Sequence, residues 1–303
     1  MLAMILRFGK LFPWLVLLVI GIGWGLAFSL AKMGILAGGM PLGMVFWQMV
    51  LSIFLTLVIA RLQGRPVPMD RQHIRNYLIV SVLASSIPSS CLMFAAGRVP
   101  AGVVSITIAI VPMLTYALAV GLGRESQSLV RLAGLFCGIG AILLLVLPEA
   151  SLPDRSAVPW ILVAAIAPTC HALNNINLSR PVMTDIHPLH IIFGANLFGA
   201  MTLLPLALAT GHFFVPSLPF GTLEWTIVGN GVINVLAFLG FISVIQLAGP
   251  VFASQTGYLV TIAGVVWGMA LFGESHSGWV WTSLTVMIIG LSLVSPRRAA
   301  STS

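Results

Sequence analysis

Along the chain, long apolar stretches alternate with short polar clusters, and the stretches have the length that a bilayer demands. A spanning helix needs about 20 apolar residues at a rise of 1.5 Å each. Runs bounded by charges or by Gly/Pro breaks predict ten spans: Leu11–Met33, Pro41–Ala60, Tyr77–Gly97, Pro100–Gly121, Leu129–Leu147, Pro159–Ser179, Pro188–Thr210, Thr222–Leu247, Pro250–Phe272 and Gly278–Ser295. The least obvious cut falls in the uncharged run between Glu224 and Glu274, which is too long for one helix. Ala248-Gly249-Pro250 splits it, because proline cannot continue a helix and favours a first turn. Arg7 and Lys10 ahead of the first run resemble the opening of a signal peptide, but the uncharged run from Leu11 to Ala31 is long enough to span, which predicts an uncleaved first helix.

Composition agrees with this pattern. Of 303 residues, 59% are hydrophobic and only 7% charged, against about 25% charged in a soluble domain. A soluble fold of this size needs a charged shell that this chain cannot make, whereas a surface facing lipid must be apolar. The net charge of +7 does not point to nucleic acid, because the 14 Lys and Arg are scattered singly between apolar stretches and form no basic face. The three cysteines, Cys91, Cys137 and Cys170, lie apart inside apolar runs, in no metal-ligand spacing, and read as packing residues. No cofactor or metal is expected.

The positive charges instead report topology. With a cytoplasmic N-terminus, the inner segments hold Arg7, Lys10, Arg61, Arg65, Arg71, Arg75, Arg124, Arg131, Arg180, Arg297 and Arg298, and the outer segments only Arg98 and Arg155. Dropping or adding one helix would scramble this segregation, so ten spans with both ends cytoplasmic are predicted. The chain also repeats. Aligned without a gap, Pro88–Ser126 falls on Ala237–Ser275, which superposes Glu125-Ser126 on Glu274-Ser275; Pro13-Trp14 recurs as Pro159-Trp160, and Pro41 has a counterpart in Pro188. Residues 1–150 and 151–303 thus form two five-helix halves. Five is odd, so the second half lies upside down relative to the first. The expected fold is an all-α membrane protein of ten transmembrane helices in two inverted five-helix repeats, a signature of secondary transporters with substrate held near the midplane.

Several of these residues carry a family resemblance. Trp24-Gly25, then Lys32, then Pro41 opening the next span, resemble the start of an EamA-type repeat; so do Pro112 and Gly123-Arg124-Glu125, echoed by Phe272-Gly273-Glu274. Over essentially its whole length the chain is similar to the EamA-like members of the drug/metabolite transporter superfamily. Its nearest likeness there is to bacterial amino-acid exporters, including the aromatic amino-acid and methyl viologen branch. The resemblance implies export of small metabolites across a bacterial inner membrane. One position departs from the family: where an Arg often stands early in the second span, this chain has Gln48.

Polar side chains within a span are costly and usually face the bundle interior or a wet cavity. The sixth span is richest, with His171, Asn174, Asn175 and Asn177 after Pro168. His171 and Asn175 share a face by i,i+4 spacing and Asn174 flanks it. Asn230 and Asn234 share a face of the eighth span, and Ser254, Tyr258 and Thr261 form a stripe on the ninth. Trp24, set among Gly21, Gly23 and Gly25, could stack on a substrate side chain, and Trp47 also lies deep. The expected substrate-binding residues are therefore Trp24, His171, Asn174, Asn175, Asn230, Asn234 and Tyr258. Against each stands the plainer reading of interhelical polar packing.

Ser85, Ser86, Ser89 and Ser90 surround Pro88, where hydroxyls can satisfy the backbone groups that a proline frees, so kink repair is the first reading there. Lys32 is expected to snorkel to the outer surface. The pairs Gly21/Gly25, Gly134/Gly138 and Gly264/Gly268 read as helix-contact faces, and the fifth span, bearing Gly134/Gly138, as a structural or dimer-facing helix.

All seven acidic residues fall in loops or at span ends in this topology, which predicts transport without obligatory ion coupling. No paired carboxylates, zinc-type His motif or phosphate-cradling loop marks an enzyme. The expectation is a non-enzymatic carrier of neutral or aromatic amino acids working by alternating access, a monomer or homodimer whose partners are its small-molecule substrate and the lipid bilayer. The alternatives are a nucleotide-sugar or drug-like substrate on the same fold, or, from another class, a membrane-embedded lipid-modifying enzyme.

Overall fold

The computed structural model describes residues 12–152, 154–248 and 255–294. Among them ten long helices follow one another: α1 Phe12–Leu36, α2 Pro41–Leu62, α3 Arg71–Ala96, α4 Ala101–Gly121, α5 Leu129–Val146, α6 Arg155–Leu178, α7 Pro188–Ala209, α8 Thr222–Ala248, α9 Thr256–Phe272 and α10 Gly278–Val294. The chain is an all-α membrane protein of ten transmembrane helices in two inverted five-helix repeats, α1–α5 and α6–α10. Eight helices have the length and apolar character to cross a bilayer outright, and α9 and α10 are shorter apolar helices. Leu11, Pro250, Ser254 and Ser295, on which span boundaries and the polar stripe of the ninth span were placed, lie outside the described residues, as do Arg7, Lys10, Gly249, Arg297 and Arg298.

Helix ends follow local chemistry. Pro41 and Pro188 open α2 and α7 at the first turn, where a missing N–H leaves nothing unsatisfied. Asp70 caps α3 by accepting from the Gln72 and His73 amides, which starts this helix a turn and a half before its apolar run. Prolines shape the interiors. α3 loosens into a π turn over Ser81–Ser86 just before Pro88; α4 breaks at Ala109–Ile110 before Pro112; α6 breaks at Ala165 before Pro168. Such irregular turns are tolerated in a membrane only where protein or a wet cavity surrounds them.

The packing follows the repeat. α1 lies along α8 and α9, and its counterpart α6 lies along α3 and α4. α2 packs on α7, α4 on α9 and α5 on α10, each pair joining equivalent helices of the two repeats. The result is two similar bundles, α1/α2/α8/α9 and α6/α7/α3/α4, with α5 and α10 alongside. Glycines set the closest approaches. A Cβ on Gly25 would meet Ala263 and the Gly264 backbone, and one on Gly290 would sit 2.8 Å from the Gly134 carbonyl oxygen. The glycine face of α5 is therefore occupied by α10 at Gly134 and by α4 at Gly138.

Because each helix reverses the last, the loops sort onto two faces. The loops after α1, α3, α5, α7 and α9 share one face, here face A; those after α2, α4 and α6, with the start of α1 and the end of α10, share the other, face B. Among the described residues, face B gathers Arg61, Arg65, Arg71, Arg75, Arg124, Arg131 and Arg180, while face A holds Lys32, Arg98 and Arg155 with Glu149, Asp154, Glu224 and Glu274.

Candidate functional site

A cavity of about 170 Å³ lies between the two bundles, walled by α1, α2, α3, α6, α7 and α8. α2 contributes Gln48 and Ser52, and α3 contributes Ser85 from its π turn and Ser89 from just beyond Pro88. Asn174 reaches it from α6, Asn196 from α7, and Asn234 from α8. Trp24 and Phe238 supply aromatic surface. From this midspan level the cavity runs toward face B, where Leu178, the last residue of α6, and Ile191, in the first turn of α7, also line it.

Among the described residues that line it there is no Asp, Glu, Lys or Arg. Some of its polar groups are already engaged: Asn234 Nδ2 donates to Asn230 O and Oδ1, both at 3.0 Å, Ser52 donates to Gln48 O at 2.9 Å, and Asn196 donates to Ile192 O at 2.7 Å. Gln48 Nε2 and Asn174 Oδ1, by contrast, are buried with no hydrogen-bond partner among the described residues.

Of the residues expected from sequence, Trp24, Asn174 and Asn234 line this cavity. Asn230 stands behind it: its Nδ2 donates to Ala27 O at 3.2 Å, pinning α8 to α1, and its Oδ1 orients Asn234. His171, Asn175 and Tyr258 are not among the lining residues. Asn175 donates to Thr115 Oγ1 of α4 at 3.2 Å, and Tyr258 packs on the apolar core of α4, α5 and α10. The reason is helix rotation. α6 turns Ala167, Cys170, Ala172, Asn174 and Asn177 into protein, which leaves the His171/Asn175 face pointing another way. Trp47 is also turned aside, donating to Phe214 O at 2.8 Å.

Gln48, Ser52, Ser85, Ser89 and Asn196 complete the wall and were outside the expected set. Gln48 is signalled in sequence by standing where the family often has Arg, Ser52 and Asn196 only as polar residues deep in apolar runs, and Ser85 and Ser89 by their place beside Pro88, where kink repair is the first reading. A wider hollow of about 500 Å³ lies at the α1/α8 edge of face A among Leu30, Met33, Phe220 and Trp225, but it is broadly open and mostly apolar.

On face A two structures cover the space between the bundles. The α7–α8 loop folds back over α2: Phe213 packs against Phe46 and Trp47, and the Gly43 backbone leaves room for the His212 carbonyl. Beside it, Lys32 at the end of α1 meets Glu274 at 2.6 Å. This corrects the snorkelling expectation, because the lysine turns inward to a carboxylate that is only 7% exposed. Glu274 is brought there by Gly273, whose positive φ of 62° reverses the chain at the end of α9. Gly268 leaves room for the carboxylate, which also accepts from the Ala101 and Gly102 amides at 2.8 and 3.2 Å. A carboxylate at the start of a helix meets both free N–H groups and the positive end of the dipole.

Glu274 thus ties α1 and α9 of one bundle to the start of α4 in the other. Its neighbour His276 is 2% exposed, with Nε2 3.8 Å from Glu274 Oε2. Burial pushes this imidazole below its ordinary value; Glu274 acts in the opposite sense and Lys32 in the same one. On face B the equivalent loop makes a weaker junction, with Arg124 donating to Ile176 O and Ser179 Oγ at the exposed end of α6.

Comparison with known proteins fits this architecture. The EamA-like transporter family matches twice, over residues 11–147 and 158–295, one match to each repeat. The chain is 23% identical over 302 residues to the uncharacterized inner membrane transporter YedA of Escherichia coli strain K12, an alignment covering 95% of this chain and 92% of that protein; YedA of Escherichia coli O157:H7 aligns equally well. A solved crystal structure superposes with a TM-score of 0.65 at 14% identity, covering 93% of this chain and 96% of that one, a likeness of fold alone.

Proposed function

The chain belongs to the EamA-like transporter family, and on that premise we propose that it is a secondary carrier exporting neutral or aromatic amino acids across a bacterial inner membrane. The observation that carries this reading is the uncharged, amide- and hydroxyl-lined cavity at the junction of the two repeats. It lies at the depth where inverted-repeat carriers hold substrate. The arginine-rich face B is the cytoplasmic side by the positive-inside rule, so both termini are cytoplasmic and face A is external. The cavity then runs toward the cytoplasm while Glu274 and the α7–α8 loop cover the outside, the arrangement of a carrier waiting for cytoplasmic substrate.

Transport proceeds by alternating access. The bodies that move are the two bundles, α1/α2/α8/α9 and α3/α4/α6/α7, rather than the two sequence halves, because α1 is packed along α8 and α9. Opening to the outside breaks the Glu274 bonds to the Ala101 and Gly102 amides and lifts the α7–α8 loop. No carboxylate lines the cavity, so the carrier runs down its substrate's own gradient without an obligatory ion. The nucleotide-sugar and drug-like alternatives fit less well, since drug-sized ligands occupy roughly 300–1,000 Å³.

The test is uptake of a panel of labelled amino acids into liposomes holding the purified protein, with and without proton or sodium gradients. Saturable uptake of neutral amino acids that is indifferent to either gradient supports the proposal. Uptake of none of the panel, or concentrative uptake driven by one ion, refutes it.

A further inference from the structure

Two residues of the cavity wall carry buried amide atoms with no partner among the described residues, and these narrow the substrate class on the carrier reading above. Buried polar atoms are nearly always bonded, and exceptions need a reason. Here one exception is a donor, Gln48 Nε2 on α2, and the other an acceptor, Asn174 Oδ1 on α6, which itself is 6% exposed. Both line the same cavity. They come from opposite repeats and from the two different bundles, so one ligand bonded to both would bridge the bodies that move.

We propose that Gln48 and Asn174 hold the two poles of a small zwitterion: Nε2–H donates to an α-carboxylate and Oδ1 accepts from an α-ammonium. Charge and size both point there. A ligand with net charge would enter a cavity without a counter-ion, and an uncompensated buried charge is strongly disfavoured. In a zwitterion the two charges compensate each other, and each gains a charge-assisted hydrogen bond from a neutral amide. The cavity of about 170 Å³ is only slightly larger than the roughly 150 Å³ that accommodates benzene, a ligand of about six heavy atoms. Alanine, serine and threonine fit this size. Tryptophan, with more than twice as many heavy atoms, does not, so the aromatic half of the functional reading gives way to small aliphatic and hydroxylated amino acids.

The experiment is alanine counterflow in proteoliposomes with single-pole competitors. Serine should compete with alanine, while propionate, lacking the ammonium, and ethylamine, lacking the carboxylate, should not. Gln48→Ala and Asn174→Ala should each raise KM by about tenfold or more, one charge-assisted bond at 1.4 kcal/mol per decade, with a smaller change in kcat. The isosteric Gln48→Glu places a carboxylate against the substrate carboxylate and should abolish alanine transport. Asn174→Asp adds a negative charge facing the ammonium and should admit ethylamine. Thermal stability and monodispersity in detergent, measured for every variant, separate lost recognition from lost folding, and Asn174→Asp reads a gain that misfolding cannot mimic.

If the wild type moves no amino acid at all, the carrier reading fails and takes this inference with it. If it moves alanine but propionate and ethylamine compete equally, or both alanine variants keep the wild-type KM, the inference alone is overturned. Competition by tryptophan as strong as that by serine overturns the size limit.

Discussion

Glu274 holds the external side closed in this account, and its removal should open that side by an amount the structure allows to be worked out. Glu274→Gln does two things. It removes the negative charge that accepts from the Ala101 and Gly102 amides and from Lys32, and it turns one acceptor oxygen into an N–H donor that faces those donors. Hydrogen bonds to a charged group are worth about 1.5–3 kcal/mol net, against about 0.5–1.5 kcal/mol between neutral groups. Lys32 and Glu274 belong to the same bundle, so their pair persists in both states and the shift comes from the two amide bonds alone, roughly 3 kcal/mol.

At 1.4 kcal/mol per decade, the externally open state should gain roughly a hundredfold in population. Lys32→Met should do far less, because Glu274 keeps its two amide partners and the tie to α4. The double variant should match Glu274→Gln, since both lose the same tie to α4. The assay is the rate at which an impermeant maleimide, added outside intact cells, labels Ser52→Cys in a background with Cys91, Cys137 and Cys170 replaced. Equal labelling rates in wild type and Glu274→Gln, or a larger effect from Lys32→Met, would refute the latch.

Three further outcomes follow from the same structure. Gly290→Ala pushes a methyl against the Gly134 carbonyl, Met113 and Cys137 and should cost about 1–3 kcal/mol, whereas Gly140→Ala in α5 meets nothing within 4 Å; a lowered melting temperature for the first and not the second checks this. His276 has its pKa lowered by burial from 6.5, so the folded state binds fewer protons than the unfolded one, and stability falls as pH drops through 6.5. The melting temperature should therefore drop more steeply on acidification below that value in wild type than in His276→Asn, and parallel curves would exclude the residue. Ala150→Cys on face A should label from outside intact cells and Gln63→Cys on face B should not; the reverse result inverts the topology.

The fold was more legible in the sequence than the site. Span count and the helix starts at Pro41 and Pro188 follow from apolar length and proline chemistry, which are local. α3 began earlier than its apolar run suggested because Asp70 caps it, a polar signal that hydropathy does not weigh. The site depends on helix rotation, which sequence spacing gives only relatively. Spacing put His171 and Asn175 together correctly but could not say which face of α6 meets the cavity; packing turned Asn174 there instead. Gln48 draws notice only as a departure from the family pattern, its i+4 neighbour Ser52 being a small hydroxyl that apolar helices often carry, and Asn196 is a single polar residue in an apolar helix. Lys32 and Glu274 are 242 positions apart, and only the intertwining of the repeats brings them into contact.

Counterflow distinguishes the proposed alternating access from diffusion through an open pore. Liposomes containing the protein are loaded with unlabelled alanine and diluted into a trace of labelled alanine, with no ion gradient. A carrier exchanges inner for outer substrate one at a time, so label should accumulate transiently above its equilibrium level and then decay as the internal pool drains. Label that only rises to equilibrium, or that overshoots only when a proton or sodium gradient is imposed, would contradict the account.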